Sequence, residues 1–261
     1  MNRALLLIAL VVFTVPLFAR GKKDLPSQVE LAAVTARGRI MAEYDTAAWH
    51  ATDVVQDLKP ATGSTRYYIA KKEGAAWVVV FGRLSEQHDK FLVVYQATQG
   101  TQPEFFTAKK FDPPSESADF YFHAAKAFDS ALKDLGPVSR PYNAYAIPAE
   151  SGELYVYLLP AQTKDGVYPL GGDVRYTFTA DGGTLLQKHP MHKTILEFDF
   201  NLKPGQPKTE ASFHTHVLSN RPEDSDVFYV LTRKLSIPEY VGTLDKKIFV
   251  IQPDGTIALG K

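Results

Sequence analysis

Two histidines one residue apart, His214 and His216, and a carboxylate ten positions later, Asp226, have the types and spacing to do chemistry. In an extended segment, residues i and i+2 point to the same face, so the two imidazoles can converge on one ion. The polar stretch that follows contains Pro222 and reads as a loop. Asp224, Ser225 and Asp226 then fall at the first turn of the apolar segment Val227-Phe228-Tyr229-Val230-Leu231. From there Asp226 can fold back as a third ligand. Two neutral imidazoles and a carboxylate, with a position left for water, form the ligand set of a catalytic zinc ion. Such an ion lowers the pKa of its water and polarises a carbonyl.

These three residues need a strand, a loop and a helix start, and the chain supplies a patterned scaffold for them. Ser27-Gln-Val-Glu30 is a capping box opening a helix to about Asp57, with Val29, Val34, Met41, Trp49 and Val55 as its apolar stripe and Gly38 as a soft spot. Arg66–Ala70, Trp77–Phe81 and Phe91–Tyr95 are rich in β-branched and aromatic residues and form an antiparallel meander that this helix covers. Pro113-Pro114-Ser115-Glu116-Ser117 marks an internal boundary. A second helix runs from about Ala118 to Leu135 and stops at Gly136-Pro137. Strands follow at Tyr145–Ile147, Glu153–Pro160, Asp173–Thr179 and Lys193–Phe200. After the histidine strand come a short helix, about Ser225–Arg233, and strands at Tyr240–Thr243, Lys247–Ile251 and Thr256–Leu259. The fold class is α+β, a mixed or antiparallel sheet with flanking helices.

His214-Thr-His216 followed by Pro222-Glu-Asp-Ser-Asp226 resembles the signature of the JAB/MPN (JAMM) metallopeptidase-like superfamily, over the C-terminal half of the chain. The resemblance implies that His214, His216 and Asp226 bind zinc, that an upstream glutamate acts on the zinc-bound water, and that a serine polarises the scissile carbonyl. Glu150 and Glu153, flanking the start of an apolar strand, are the two candidates for that glutamate, and the sequence does not choose between them. The pattern departs from the family in two places. Val217 stands where the family has proline, and Glu223 where it has the serine; a carboxylate there opposes a developing oxyanion.

The start of the chain bounds the compartment. Arg3 precedes an apolar run from Ala4 to Phe18, which reads as a secretory signal over residues 1–19, cut after Ala19. The expected organisation is therefore the signal, an N-terminal helix and meander over 20–112, and a JAB/MPN-like portion over 115–261. The expected location is periplasmic or extracellular, without stable membrane insertion after cleavage. Residues 1–19 contain one arginine and no acid, so the net charge of zero becomes −1, which gives no pull toward nucleic acid. There is no cysteine, which excludes disulfides, thiol catalysis and a cysteine zinc site.

Other motifs carry less. His189-Pro-Met-His192 reads as structural, because no carboxylate is placed in sequence to complete a site. No Gly-x-Ser-x-Gly elbow and no phosphate-binding glycine loop occurs. The reading is an exported zinc-dependent hydrolase of peptide or isopeptide bonds, with a protein or peptide as its unknown substrate. Its rivals are a non-catalytic exported binding or structural protein on the same scaffold with a degenerate site, and a metal-binding protein without turnover.

Overall fold

The computed structural model describes residues 25–201, 205 and 207–260, so the signal expected over 1–19 lies outside the described residues. Helix α1 spans Gln28–Gln56, and Ser27 caps it: its hydroxyl accepts the Glu30 N–H while the Glu30 carboxylate accepts the Ser27 N–H. The buried stripe is Leu31, Val34, Gly38, Met41, Tyr44, Ala48, Ala51 and Val55. Two residues of the expected stripe do not belong to it. Val29 and Trp49 are 79% and 64% exposed, because the three- and four-residue steps of the helix carry the buried face past them.

Strands β1 (Tyr67–Glu73), β2 (Ala76–Leu84), β3 (Phe91–Gln99) and β4 (Phe106–Ser117) form an antiparallel sheet in chain order. The expected boundary at Pro113–Ser117 is in fact the second half of β4, whose Ser115, Glu116 and Ser117 pair with Val93, Leu92 and Phe91. Proline is tolerated there because β4 is an edge strand with no ladder on its outer side. Helix α2 (Phe120–Leu135) follows and ends at Gly136, with φ +76°. Next come β5 (Tyr142–Pro148), β6 (Leu154–Pro160), β7 (Val167–Leu170), β8 (Val174–Phe178), β9 (Leu185–Pro190) and β10 (Leu196–Asp199). They make one antiparallel sheet in the order β5-β6-β8-β9 and a separate β7/β10 pair.

Central strands β2 and β6 are apolar on both faces and lack the polar alternation of a half-exposed strand. Trp77, Val79 and Phe81 of β2 and Tyr157 and Leu159 of β6 pack with α1, whereas Val78, Val80, Val156 and Leu158 pack with α2. The result is a β layer between two helices.

The last part of the chain supplies β11 (Ser212–Thr215), α3 (Asp224–Thr232), β12 (Glu239–Gly242), β13 (Ile248–Ile251) and β14 (Ile257–Leu259). The sheet order is β11-β12-β13-β14, with β11 parallel to β12 and the other pairs antiparallel. Helix α3 buries Val227, Tyr229 and Val230 against Val241, Phe249 and Ile251 on one side and Leu31 and Val34 of α1 on the other. Each such side chain contributes about 1.5–3 kcal/mol. Gly38, a weak point by helix propensity, is what lets the two helices cross closely. A Cβ on it would lie 2.4 Å from Val227 Cβ and 2.8 Å from the Asp224 carbonyl oxygen. Among the described residues no helix is long and apolar enough to cross a membrane.

Candidate metal centre

Four side chains from three places meet where the end of β9, strand β11 and the first turn of α3 come together. They are His192, His214, His216 and Asp226, whose nearest ligand atoms all lie within 4.8 Å of one another. His214 is the third residue of β11 and His216 lies one residue beyond its end, with its N–H on the Gly242 carbonyl at 2.7 Å. That bond prolongs the extended register, so both imidazoles point inward while Phe213 and Val217 point out. Asp226 is the third residue of α3, and its Oδ2 accepts the Glu223 N–H at 2.7 Å, closing the cap that fixes its rotamer. His192 follows Met191, which is fully buried and donates its N–H to the Asp173 carbonyl at 3.1 Å.

Each imidazole is braced through its Nδ1. His192 Nδ1 lies 2.8 Å from Asp173 Oδ1, and His214 Nδ1 lies 2.8 Å from Glu239 Oε1. His216 Nδ1 lies 2.9 Å from the Arg221 carbonyl oxygen and 2.8 Å from Ser219 Oγ. Carboxylates and carbonyls only accept, so every Nδ1 carries the hydrogen and every Nε2 of a neutral ring presents a lone pair. Those three lone pairs face one another. His192 and His214 Nε2 lie 2.9 and 3.1 Å from His216 Nε2. Asp226 Oδ1 lies 3.0 and 3.1 Å from Nε2 of His192 and His214, and Oδ2 lies 3.1 Å from that of His216.

Three lone pairs and a carboxylate at this spacing repel unless something positive lies among them. Protons on Nε2 are one answer and a metal ion is the other. Tetrahedral ligands about 2.0–2.1 Å from zinc stand about 3.3 Å apart, close to the separations here. Asp226 Oδ1 also receives no hydrogen bond although it is fully buried, a costly state for a carboxylate oxygen that an ion would relieve. The donor set therefore fits a divalent transition ion, with bracing of the kind that orients metal-bound histidines.

Without an ion, the electrostatics favour protons in its place. Burial would raise the pKa of Asp226, but His216, His192 and His214 beside it outweigh burial and hold it well below the usual carboxylate range. Burial would lower the two perturbed imidazoles. Asp173 and Asp226 instead hold His192 well above its ordinary value, and Asp226 with Glu239 pushes His214 up to about 9. Groups that hold protons this firmly release them when a cation takes the protons' place.

His189 and His192 do not act as a pair. His192 joins the cluster, against the structural role expected for it, because its carboxylates arrive from elsewhere: Asp173 ahead of β8, and Asp226 from α3. His189 turns to Glu223, with Nε2 3.0 Å from Oε2. The two upstream glutamates are not brought to the cluster. Glu150 is exposed in the β5–β6 turn, and Glu153 accepts the Ser151 hydroxyl there. Asp173, which braces His192, precedes Val174, and Val174 pairs with Leu158. Glu153 lies five residues back along β6, about 17 Å away at 3.3 Å per residue.

Comparison with known proteins adds no relative: no family model, no curated protein and no solved structure matches this chain.

Proposed function

We propose that this is an exported protein that binds one divalent transition ion, zinc first among them, in a closed His192–His214–His216–Asp226 centre, and that it is not a hydrolase. The observation that carries this reading is the facing of three braced Nε2 lone pairs and an unpartnered Asp226 oxygen. Four protein ligands complete a tetrahedral shell, the pattern of a structural zinc site, whereas catalytic zinc keeps a position for water. Burial supports the same conclusion, since the side chains of His192, His214, His216 and Asp226 are 8, 1, 0 and 0% exposed. The hydrolase implied by the JAB/MPN resemblance needs an open position and a carboxylate beside it. His192 takes the first, and neither Glu150 nor Glu153 supplies the second. The resemblance then describes a scaffold whose site has become a clamp. The ion joins the end of β9 to two later elements, β11 and α3.

Metal analysis of untagged protein tests this directly. One equivalent of metal is expected in wild type and none in His214→Ala or Asp226→Asn. Cobalt substitution tests closure, because a four-coordinate ion gives intense visible absorption and an expanded, water-bearing shell gives weak bands. Weak bands, or peptide hydrolysis that the metal-free protein lacks, would return the site to the catalytic class.

A further inference from the structure

Beside the metal centre, and sharing with it the Asp173 that braces His192, is a cavity of about 110 Å³ between α1, the β5–β6 strands, β7 and α3. Its walls include the rings of Tyr145, Tyr168, Phe228 and Tyr229, and its charged lining residues are Asp45 and Asp173, with no lysine, arginine or histidine among them. The exposed Gln162 lies at its rim.

Asp173 is already engaged by His192. Asp45 is engaged on one side only: its Oδ1 accepts the Tyr145 hydroxyl at 2.7 Å, which leaves Oδ2 for a ligand. Burial raises the pKa of this carboxyl, and the Tyr145 hydroxyl offsets that in part. The pocket thus lacks a cation that would compensate this half-buried carboxylate.

The lining decides the ligand class. Anions meet two carboxylates and no countercharge. Hard inorganic cations need six or more oxygen ligands, and Asp45 is the one lining carboxylate that a histidine does not already engage. Aromatic faces and a single carboxylate suit an alkylammonium group, which gains from ring quadrupoles and from an ion pair at once. Size limits it further, because a cavity of about 150 Å³ holds benzene, so this one holds roughly four or five heavy atoms.

We propose that this cavity binds a small organic ammonium ion, with Asp45 as its counter-charge and the rings of Tyr145 and Phe228, which meet edge-on at 5.5 Å, as its wall. The site does not depend on the metal reading. The probes are n-propylammonium and tetramethylammonium, with 1-propanol and tert-butanol as neutral controls of similar shape. Each is titrated into the full-length mature protein and followed by calorimetry and by nuclear magnetic resonance of the aromatic side chains.

At least one ammonium probe is expected to bind with Kd on the order of 1 mM, well within the ceiling for so few atoms. Its neutral counterpart should bind at least tenfold more weakly. Asp45→Asn should lose the cation tenfold or more while leaving alcohol binding unchanged, and Phe228→Leu should weaken the cation several-fold. Near-UV circular dichroism checks each variant. Should Asp45→Asn fail to fold, the wild-type cation-to-alcohol ratio and Phe228→Leu still decide the matter. Equal binding of alcohol and ammonium, no ammonium binding to wild type, or an unchanged affinity in folded Asp45→Asn would each overturn the proposal. Titrations in chelator and in buffered zinc should agree, so failure of the metal centre would show separately in the metal analysis.

Discussion

Asp224 and Asp226 stand two residues apart in the first turn of α3, and both are buried, at 1% and 0% exposure. Their partners could hardly differ more. Asp224 is saturated by fixed cations and a hydroxyl: Arg37 approaches with Nε and Nη2 at 2.9–3.0 Å, Arg175 Nη1 at 2.6 Å and the Tyr157 hydroxyl at 2.9 Å. Asp226 faces three imidazole Nε2 atoms at 3.0–3.1 Å, and its oxygens have no arginine or lysine beside them. One carboxylate carries its countercharge in the covalent chain, and the other takes it from solution. Buried charge is tolerable in both forms, but only the second leaves its countercharge exchangeable.

The largest test of this contrast is Asp224→Ala, which strands two arginines in a partly buried network. It should cost about 3–5 kcal/mol, or a Tm fall of roughly 6–20 °C for a chain of this size. Thermal unfolding should show the same loss in chelator and in zinc. A loss confined to the zinc-loaded protein would erase the distinction between the two aspartates.

Zinc addition itself comes next. At a free concentration 1,000 times Kd it should stabilise wild type by about 4 kcal/mol, and Asp226→Asn by nothing measurable. His192→Ala sharpens the ligand count, because loss of a fourth ligand should cost at least tenfold in zinc affinity. An unchanged affinity would leave a three-ligand site.

The pH dependence differs between the two states. The folded pKa of His214, about 9, lies above its ordinary 6.5. In chelator the resulting stabilisation is therefore fully present below pH 6.5 and is lost as pH rises to about 9, with His192 acting in the same direction. Zinc takes the neutral rings, so Tm in buffered zinc should not fall across that window and the zinc increment should grow through it. Parallel curves in chelator and zinc would contradict the proton-for-metal exchange.

Smaller effects are expected one bond further out. Asp173→Asn and Glu239→Gln remove the charge from the braces on His192 and His214 and should weaken zinc by about 10-fold without abolishing it. Glu150→Gln and Glu153→Gln should change neither zinc affinity nor Tm. A changed affinity in either would bring the β5–β6 turn back to the centre.

Local physics was legible in the chain. The capping box at Ser27, the glycine stop at Gly136 and the short helix after Pro222 follow from backbone hydrogen bonding and side-chain period, which a sequence carries in full. His214 and His216 on one face and Asp226 at a helix start are of the same kind, since alternation and capping act over a few residues. The second half of β4 was hidden because its prolines read as a linker, and only the single-sided pairing of an edge strand accommodates them.

Other features were decided at long range. His192 became part of the cluster only when Asp173 and Asp226 came to it from 19 and 34 residues away, and no local pattern encodes such a meeting. The exposure of Trp49, the value of Gly38 as a crossing point and the isolation of Glu153 also depend on which neighbours tertiary packing delivers. The chain by itself fixed which residues face the same way; the fold decided which of those faces meet, because a shared ion or core contact depends on distance in space and not on separation in sequence.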